Sequence, residues 1–260
     1  MTASSIGIDP AGQLAGQGAL VVGAGSGIGS GVARLLGARG MTVVCVDRDA
    51  ETAGRTAAQI VADGGRARSV PADVADEGSV MRCFETAAGE IGQIHAVVNS
   101  AGVQGPLGHP THEVDVDGFD ATYTVNLRGA FLVSKYALRH MIGYSYGRIL
   151  HVASIAGKEG NPNMVCYSAT KAGMIGMVKS QAKEYAESGI TVNAIAPAVV
   201  QTPFLDTQPQ SVVDYMTAKI PMGRTGTVTE IAEMIAFAIS PACGFTTGFV
   251  FDASGGRATY

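Results

Sequence analysis

Short runs of consecutive apolar residues recur along the chain, and each has the length of a β-strand rather than that of a helix. Continuous apolar runs are typical of parallel strands in a sheet that is covered on both faces. The runs, of which the third is the weakest, are Ala19–Val22, Met41–Val46, Ala67–Val70, Ile94–Val98, Arg148–Ala153, Ile190–Ala196 and Gly248–Phe251. The pattern therefore predicts a parallel sheet of about seven strands.

Segments with the apolar spacing of a helix lie between these runs. The predicted helices are Ile28–Arg39, Ala50–Asp63, Glu77–Ile91, Gly118–Met141, Val165–Glu187 and Thr229–Ile239. Regular alternation of strands and helices predicts an α/β fold, a doubly wound parallel sheet of the Rossmann type with helices on both faces. Because no linker interrupts the alternation, residues 1–260 are predicted to form a single domain.

Three stretches lie outside this alternation. Residues 199–224 follow a predicted strand and contain Pro203 and Pro209 among polar residues, so an irregular loop is predicted there. A long loop after a strand end in such a sheet usually covers a substrate, and we interpret 199–224 as a substrate loop. The N-terminal tail, 1–15, and the C-terminal tail, 253–260, are expected either to be frayed or to contact a neighbouring subunit.

Composition narrows the classes of protein to consider. The sequence is 47% hydrophobic and 15% charged, with a net charge of −4 and no basic tract, which argues against a nucleic acid or an anionic membrane as a partner. Residues 1–15 lack Lys and Arg, so no secretory signal is expected, and no apolar run reaches the ~18 residues of a membrane helix. The four cysteines form no CxxC pair, so we expect neither a metal site nor disulfides. These features predict a water-soluble, cytoplasmic protein.

A glycine-rich turn joins the first predicted strand directly to the first predicted helix. It reads Gly23-Ala24-Gly25-Ser26-Gly27-Ile28-Gly29. Glycine lets the backbone turn sharply and approach a pyrophosphate closely, and the helix N-terminus supplies amides and a positive dipole. The position of the turn between strand and helix therefore predicts a dinucleotide-binding site.

Asp47 ends the second predicted strand, 24 residues after Gly23. A carboxylate there can accept hydrogen bonds from both ribose hydroxyls of an adenosine and would repel a 2′-phosphate. The next residue, Arg48, could bind such a phosphate, but we interpret it as a solvated charge or a stacking partner of adenine. The pair therefore favours NAD over NADP.

Tyr167 and Lys171 lie four residues apart in a predicted helix, which places both side chains on one face. A phenol with a pKa near ~10 is a poor base at neutral pH, but a nearby ammonium group stabilises tyrosinate and lowers that pKa. Ser154 follows a predicted strand thirteen residues before Tyr167, and its hydroxyl could hold a substrate oxygen. The three residues together predict general acid–base chemistry.

In this order the motifs resemble the short-chain dehydrogenase/reductase family over about Leu14 to Gly256. The residues that carry the resemblance are Gly23, Gly27, Gly29, Asp73-Val74, Asn99-Ser100-Ala101-Gly102, Asn126, Ser154, Tyr167-Ser168-Ala169-Thr170-Lys171 and Val192-Asn193-Ala194-Ile195-Ala196-Pro197. The resemblance implies an NAD(H)-dependent oxidoreductase that transfers a hydride between nicotinamide and a secondary alcohol or ketone.

The resemblance also implies four catalytic residues. Tyr167 would act as the acid/base, and Lys171 would bind the nicotinamide ribose and lower the pKa of the tyrosine. Ser154 would orient the substrate oxygen, and Asn126 would hold a water that links Lys171 to solvent.

For the cofactor, the resemblance implies that Asp73 contacts the adenine amino group and Val74 the ring edge. Asn99 and Gly102 would shape the floor under the adenosine ribose, and Thr202 would bind the carboxamide. The full predicted cofactor set is Gly23, Ser26, Gly27, Ile28, Gly29, Asp47, Arg48, Asp73, Val74, Asn99, Gly102, Tyr167, Lys171, Pro197, Val200 and Thr202.

Three positions depart from the family pattern. Val22 stands where threonine is common, and Ser100 replaces a frequent asparagine. We expect both changes to affect local stability rather than the chemistry. Ala198 replaces the usual glycine after Pro197, and its Cβ would either narrow the nicotinamide pocket or require an unstrained backbone there.

The substrate is less sharply indicated. Residues 155–166 should border it in this family and are polar, and Gln201 and Gln208 add polar groups, which favours a sugar, sugar acid or polyol. The C-terminal residues from Phe251 resemble those of family members associated with deoxy sugar-acid and sugar dehydrogenation. On that basis Arg257 is hypothesised to reach a substrate carboxylate, either here or in a neighbouring subunit.

Other interpretations stay open. They are a reductase of 3-oxoacyl thioesters, a catalytically silent dinucleotide-binding regulator, and an epimerase or dehydratase that recycles bound NAD. Small residues at three- and four-residue spacing in one predicted helix, Ala169, Ala172, Gly173 and Gly176, would allow close packing against another subunit. The family resemblance implies a homotetramer, or a homodimer.

Overall fold

The computed structural model describes residues 13–260, so all but the last three residues of the predicted N-terminal tail, 1–15, lie outside the described part. Within it the strands are β1 (Gly18–Val22), β2 (Thr42–Asp47), β3 (Arg66–Pro71), β4 (Ala96–Asn99), β5 (Gly147–Val152), β6 (Ile190–Pro197), β7 (Val200–Gln201), β8 (Gly226–Thr227) and β9 (Val250–Ala253). The strands β7 and β8 pair with each other, and the other seven form one parallel sheet in the order β3-β2-β1-β4-β5-β6-β9. The predicted fold class is confirmed.

The helices alternate with these strands. They are α1 (Gly27–Ala38), α2 (Ala50–Ala62), α3 (Glu77–Ile91), α4 (Val116–Tyr123), α5 (Gly129–Met141), α6 (Ile155–Glu159), α7 (Val165–Glu184), α8 (Pro203–Asp206), α9 (Gln210–Thr217) and α10 (Val228–Ala238). In the part of the chain that the structure describes, no helix is both long enough and apolar enough to span a membrane.

Two apolar layers hold the sheet between its helices. Leu20 and Val97 belong to a core on one face, whereas their neighbours Val21 and Val98 belong to a core on the other. Side chains of successive strand residues point to opposite faces, so a strand that is buried on both sides must be apolar at every position. This is why the central strands appear in the sequence as uninterrupted apolar runs.

The winding of the sheet places a crevice beside β1. The chain moves from β1 to β2 and β3 on one side and then returns to β4 on the other side of β1. In doubly wound sheets, ligands bind at such a reversal, outside the carboxyl ends of the strands. The glycine-rich turn after β1 lies at that point.

Two predicted elements differ from the structure. The predicted irregular loop, 199–224, contains β7, α8 and α9; Pro203 opens α8 and Pro209 caps α9. Proline is tolerated at a helix start, because the first turn needs no backbone N–H donor there. The single helix predicted over Gly118–Met141 is divided into α4 and α5 by the π-helical turn Thr124–Arg128. Such turns often occur at functional sites.

Candidate active site

Lys171 lies inside the protein, one helical turn after Tyr167 on α7. Its side chain is only 4% exposed, and its ammonium group donates a hydrogen bond of 2.6 Å to the carbonyl of Val152 at the end of β5. The Nζ atom lies 5.6 Å from the centre of the Tyr167 ring. Burial lowers the pKa of Lys171 to about 8, because removing water from around the ammonium group disfavours its charged form.

Tyr167 is paired with Ser154 rather than directly with the lysine. Burial raises the pKa of Tyr167, and a side-chain hydrogen bond with Ser154 lowers it. Ser154 begins α6, and its Oγ also accepts a 3.1 Å hydrogen bond from the amide of Ala156. In this structure Ser154 therefore offsets part of the effect of burial on the phenol, and the expected effect of Lys171 on the pKa of Tyr167 stays a prediction.

Asn126 lies in the π-helical turn and is completely buried. Its Oδ1 accepts a 2.8 Å hydrogen bond from the amide of Val103, and its Nδ2 donates to the carbonyl of Val103 at 2.8 Å and to Thr170 Oγ1 at 3.2 Å. A Cβ on Gly102 would lie 3.2 Å from Asn126 Oδ1 and 3.5 Å from Lys171 Nζ. Asn126, Gly102 and Lys171 are thus neighbours, and the water-holding role of Asn126 stays a prediction.

The glycine-rich turn is held tightly from beneath. The amides of Gly23 and Ala24 both donate to the carbonyl of Val46, at 2.8 and 2.9 Å. A Cβ on Gly29 would lie 2.0 Å from the carbonyl oxygen of Gly23, so no larger residue fits there. Ser26 gives α1 no side-chain cap. The first-turn amides can therefore serve a phosphate, and the turn fits a bound dinucleotide.

Asp47 lies directly beside this turn. Its Oδ2 accepts the amide of Gly25 at 3.0 Å, and its Oδ1 accepts the amide of Asp49 at 3.2 Å. A carboxylate has about four lone-pair sites, so each oxygen keeps capacity for a ribose hydroxyl. Arg48 is exposed to solvent. The negative charge of Asp47 therefore lies at the turn, which fits NAD.

The other predicted cofactor residues lie around the same crevice. Asp73 is exposed, and its Oδ1 accepts the amide of Ala75 at 2.8 Å, whereas Val74 is buried against Gly129 and only 7% exposed. Ile28 is partly buried at the start of α1, and the buried residues Pro197 and Val200 flank the step from β6 to β7.

Thr202 closes the crevice from the opposite side. Its Cγ2 would lie 3.5 Å from a Cβ on Gly27, so the substrate loop reaches the glycine-rich turn. Ala198 donates its amide to the carbonyl of Ala253 at 3.1 Å, and its φ is negative. Of the two expectations for Ala198, the unstrained backbone is therefore the one that the structure supports. The amide of Ser100 donates to the carbonyl of Val22 at 2.8 Å, which ties the first turn to β4 without a threonine hydroxyl.

His151 is a buried polar residue near the site that sequence reasoning missed. It lies on β5, completely buried, with Nδ1 3.2 Å from Asn99 Nδ2 and Nε2 2.8 Å from Ser134 Oγ. Burial, together with the charge of Lys171, lowers the pKa of His151 to about 3. A histidine after the apolar residues Ile149 and Leu150 of a strand was the signal in the sequence that could have indicated it.

Arg257 lies against its own chain. Its guanidinium Nε is 2.9 Å from Glu159 Oε2, and its Nη2 donates to Asn161 Oδ1 at 2.8 Å. The C-terminal tail therefore contacts α6 and the residues that follow it in the same subunit. Contact between Arg257 and a substrate carboxylate stays a hypothesis.

Comparison with known proteins gives consistent results. The family pattern described as "Enoyl-(Acyl carrier protein) reductase" matches residues 22–258. A Sphingomonas sp. (strain SKA58) protein named 2-dehydro-3-deoxy-L-rhamnonate dehydrogenase (NAD(+)) is 43% identical, covering 96% of this chain and 98% of the relative. A cis-4-hydroxycyclohexanecarboxylate dehydrogenase of Sinomonas cyclohexanicum is 42% identical, covering 92% and 95%. The structure of an NAD+-bound xylitol dehydrogenase superimposes with a TM-score of 0.90 at 32% identity, covering 94% and 100%.

Proposed function

Because the chain belongs to the short-chain dehydrogenase/reductase family, we propose that it is an NAD-dependent dehydrogenase that oxidises a secondary alcohol of a sugar, sugar acid or polyol. The observation that carries this proposal is the buried ammonium group of Lys171, 5.6 Å from the centre of the Tyr167 ring, with Ser154 lowering the pKa of the same phenol. A protein that only binds dinucleotides would gain nothing from a lysine whose burial is costly. This argues against the silent regulator.

The cofactor would lie in the crevice between the glycine-rich turn and the substrate loop. Asp47 would bind the ribose hydroxyls of the adenosine, α1 would face the pyrophosphate, and Thr202 would approach from above. Asp73, Val74, Asn99 and Gly102 would line the adenosine half. Bound NAD would supply the acceptor for the hydride that leaves the carbinol carbon.

The side chains of this chain would handle the proton. Ser154 and Tyr167 would hold the substrate hydroxyl, and Tyr167 would take its proton as the hydride leaves. The charge of Lys171 would favour the resulting tyrosinate. Asn126, which lies beside Gly102 near Lys171 Nζ, would hold the water through which the proton returns to solvent.

The substrate class rests on the polar wall of the site and on the relatives. Residues 155–166 lie between Ser154 and Tyr167 and contain four polar side chains, Lys158, Glu159, Asn161 and Asn163. Two comparison proteins carry names that refer to a deoxy sugar acid and to a sugar alcohol. The alternative, a reductase of 3-oxoacyl thioesters, corresponds to a Synechocystis relative at 36% identity. Such enzymes normally use NADP, and Asp47 argues against that cofactor.

We also propose a single domain over 1–260, a cytoplasmic location and a homotetramer or homodimer. The four cysteines, Cys45, Cys83, Cys166 and Cys243, are free and buried, which fits a reducing compartment. On α7, Ala169, Ala172 and Gly176 are exposed, and this leaves a face of small side chains on the surface of the subunit. Sedimentation of a monomer at micromolar concentration would count against the assembly.

The deciding experiment is NADH formation at 340 nm with sugars, sugar acids, polyols and simple secondary alcohols, run in parallel with NAD+ and NADP+. Turnover of a polyhydroxylated substrate with NAD+ alone is expected. Turnover only with NADP+, or only of 3-oxoacyl thioesters in reverse, would move the enzyme to the reductase interpretation.

A further inference from the structure

Residues Asp252–Tyr260 fold back against α6 and the end of the substrate loop, and we name them the C-terminal strap. The strap begins with a carboxylate that has partners in two directions. Asp252 Oδ2 lies 2.8 Å from Lys158 Nζ on α6, and Asp252 Oδ1 accepts the amide of Ser254 at 3.0 Å. The Lys158 side chain is only 5% exposed, so this ion pair is shielded from water on the lysine side.

A second ion pair and a tyrosine extend the same contact. The Arg257 side chain, 9% exposed, pairs with Glu159 at 2.9 Å, and Tyr260 donates its hydroxyl proton to the carbonyl of Lys158 at 2.7 Å. The Lys158 ammonium group lies 4.9 Å from the centre of the Tyr260 ring. Exposed ion pairs contribute little to stability, whereas pairs with a desolvated cation need accurate geometry to offset the cost of burial. The strap is therefore fixed to α6.

The other side of the strap packs on the end of the substrate loop. The amide of Met222 donates to the carbonyl of Gly255 at 3.1 Å. A Cβ on Gly255, whose φ is +63°, would lie 2.6 Å from a side-chain carbon of Ile220. A cavity of about 310 Å³ lies between this contact and α10. The strap thus joins α6 and the substrate loop, which are the two expected walls of the substrate site.

The position of α6 in turn affects the reacting groups. Ser154 is the N-cap residue of α6. Within α6, a Cβ on Gly157 would lie only 2.7 Å from the backbone of Lys171. A shift of α6 would therefore move Ser154 relative to Tyr167 and loosen the packing on α7. Errors of about 1 Å in such an arrangement can cost ~100-fold in rate.

We propose that the C-terminal strap is a positioning element, which holds α6 and the substrate loop at the separation that places Ser154 in line with Tyr167. The proposal rests on the proposed dehydrogenase function. It gives Arg257 a positioning role through Glu159 in place of direct contact with substrate. The adenosine side of the cofactor crevice should depend little on the strap, because Asp47 and the glycine-rich turn lie on β1, β2 and α1.

The test exchanges the charges of the ion pair between Arg257 and Glu159. Arg257→Glu and Glu159→Arg are compared with the double variant, in which the charges are restored in reversed order. Each single variant is expected to raise KM for the alcohol about tenfold or more and to lower kcat, with a much smaller change in the Kd for NADH. The double variant is expected to recover most of both values. Arg34→Glu, which breaks the exposed pair of Arg34 with Asp63, is the matched control.

A second measurement distinguishes failure of the strap proposal from failure of the proposed function. Amide hydrogen exchange in 155–159 and 219–222 should be faster in both single variants and normal in the double variant, whichever substrate the enzyme takes. Tyr260→Phe, which keeps the ring and removes one hydrogen bond, should give a smaller change in 155–159 if either charge variant fails to fold. Unchanged exchange in these segments, or variants that lose thermal stability with KM and kcat unaltered, would overturn the proposal. Absence of alcohol oxidation by the wild-type protein would overturn only the proposed function.

Discussion

His151 on β5 and Asn99 on β4 are register partners whose buried side chains are hydrogen-bonded, with 3.2 Å between His151 Nδ1 and Asn99 Nδ2. Asn99 Oδ1 accepts the amide of Ala101 at 3.2 Å, so its NH2 group is the donor to His151. We assign the proton of the imidazole to Nε2, which then donates to Ser134 Oγ at 2.8 Å. A neutral imidazole therefore orients Asn99, which is predicted to shape the floor under the adenosine ribose.

This contact predicts that His151 contributes to acid sensitivity. The pKa of His151 is about 3 in the folded protein and near 6.5 when the chain is unfolded, so the unfolded state binds more protons between these values. The contribution of neutral His151 to the free energy of unfolding is therefore fully present above pH 6.5 and is lost as the pH falls toward 3. Between pH 7 and pH 5, the free energy of unfolding should decrease less in His151→Asn than in the wild type, and the difference should be on the order of 2 kcal/mol.

Urea unfolding of both proteins at the two pH values checks this. Burial also lowers the pKa of His95 and His140, but both residues are present in the variant, so the difference isolates His151. Parallel pH profiles for wild type and variant would show that His151 does not titrate on unfolding.

Removal of the Tyr167 hydroxyl tests the proposed acid/base. Tyr167→Phe should reduce turnover at least ~100-fold, because general acid–base catalysis typically contributes that much. The Kd for NADH should stay nearly unchanged. The chain contains no tryptophan, so NADH fluorescence reports binding without interference from that residue. Near-normal turnover would mean that another group takes the proton.

Asp47 should determine which cofactor is used. Asp47→Asn removes the charge that would repel a 2′-phosphate and weakens the hydrogen bonds to ribose, so the preference for NAD+ over NADP+ in kcat/KM should fall roughly 10- to 100-fold. Arg48→Ala is the matched neighbour and should leave NAD+ turnover intact. If Arg48→Ala alone abolished a measurable NADP+ activity, then Arg48 rather than Asp47 would control the choice.

Burial of the charged Lys171 should lower the stability of the folded protein, although the residue is needed for activity. Its pKa falls from 10.5 to about 8 on folding, so the unfolded state binds more protons between these values and stability rises with pH across that range. The burial penalty is thus fully present below pH 8. Lys171→Met should be at least as stable as wild type at pH 7 and should lose turnover. Calorimetry checks the stability of Lys171→Met, and the 340 nm assay checks its turnover. Marked destabilisation at pH 7 would mean that the hydrogen bond to Val152 outweighs the cost of burying the charge.

Much of the fold could be predicted because the evidence for it is local. Uninterrupted apolar runs such as Val43–Val46 correspond to strands that are buried on both faces. The helices α1, α2, α3, α7 and α10 were predicted to within three residues at each end. In contrast, α6 and α8 have five and four residues, which is too short to show helical periodicity in a sequence.

The candidate site divides in the same way. The glycine-rich turn and the four-residue spacing of Tyr167 and Lys171 place their groups by local geometry, so the sequence alone indicated them. The contacts that join distant segments around the candidate site could not be predicted. The ion pair of Lys158 with Asp252 and the hydrogen bond of Tyr260 with Lys158 join residues 94 and 102 positions apart.

The sequence by itself therefore determined the doubly wound sheet and the position of the glycine-rich turn, and it indicated the candidate reacting residues, since periodicity and short spacings act over a few residues. Only the tertiary structure decided that Arg257 faces Glu159, that Lys171 donates to the carbonyl of Val152, and that His151 is neutral. Those features depend on how distant segments meet and on how completely water is excluded where they do, and no local pattern of residues carries that information.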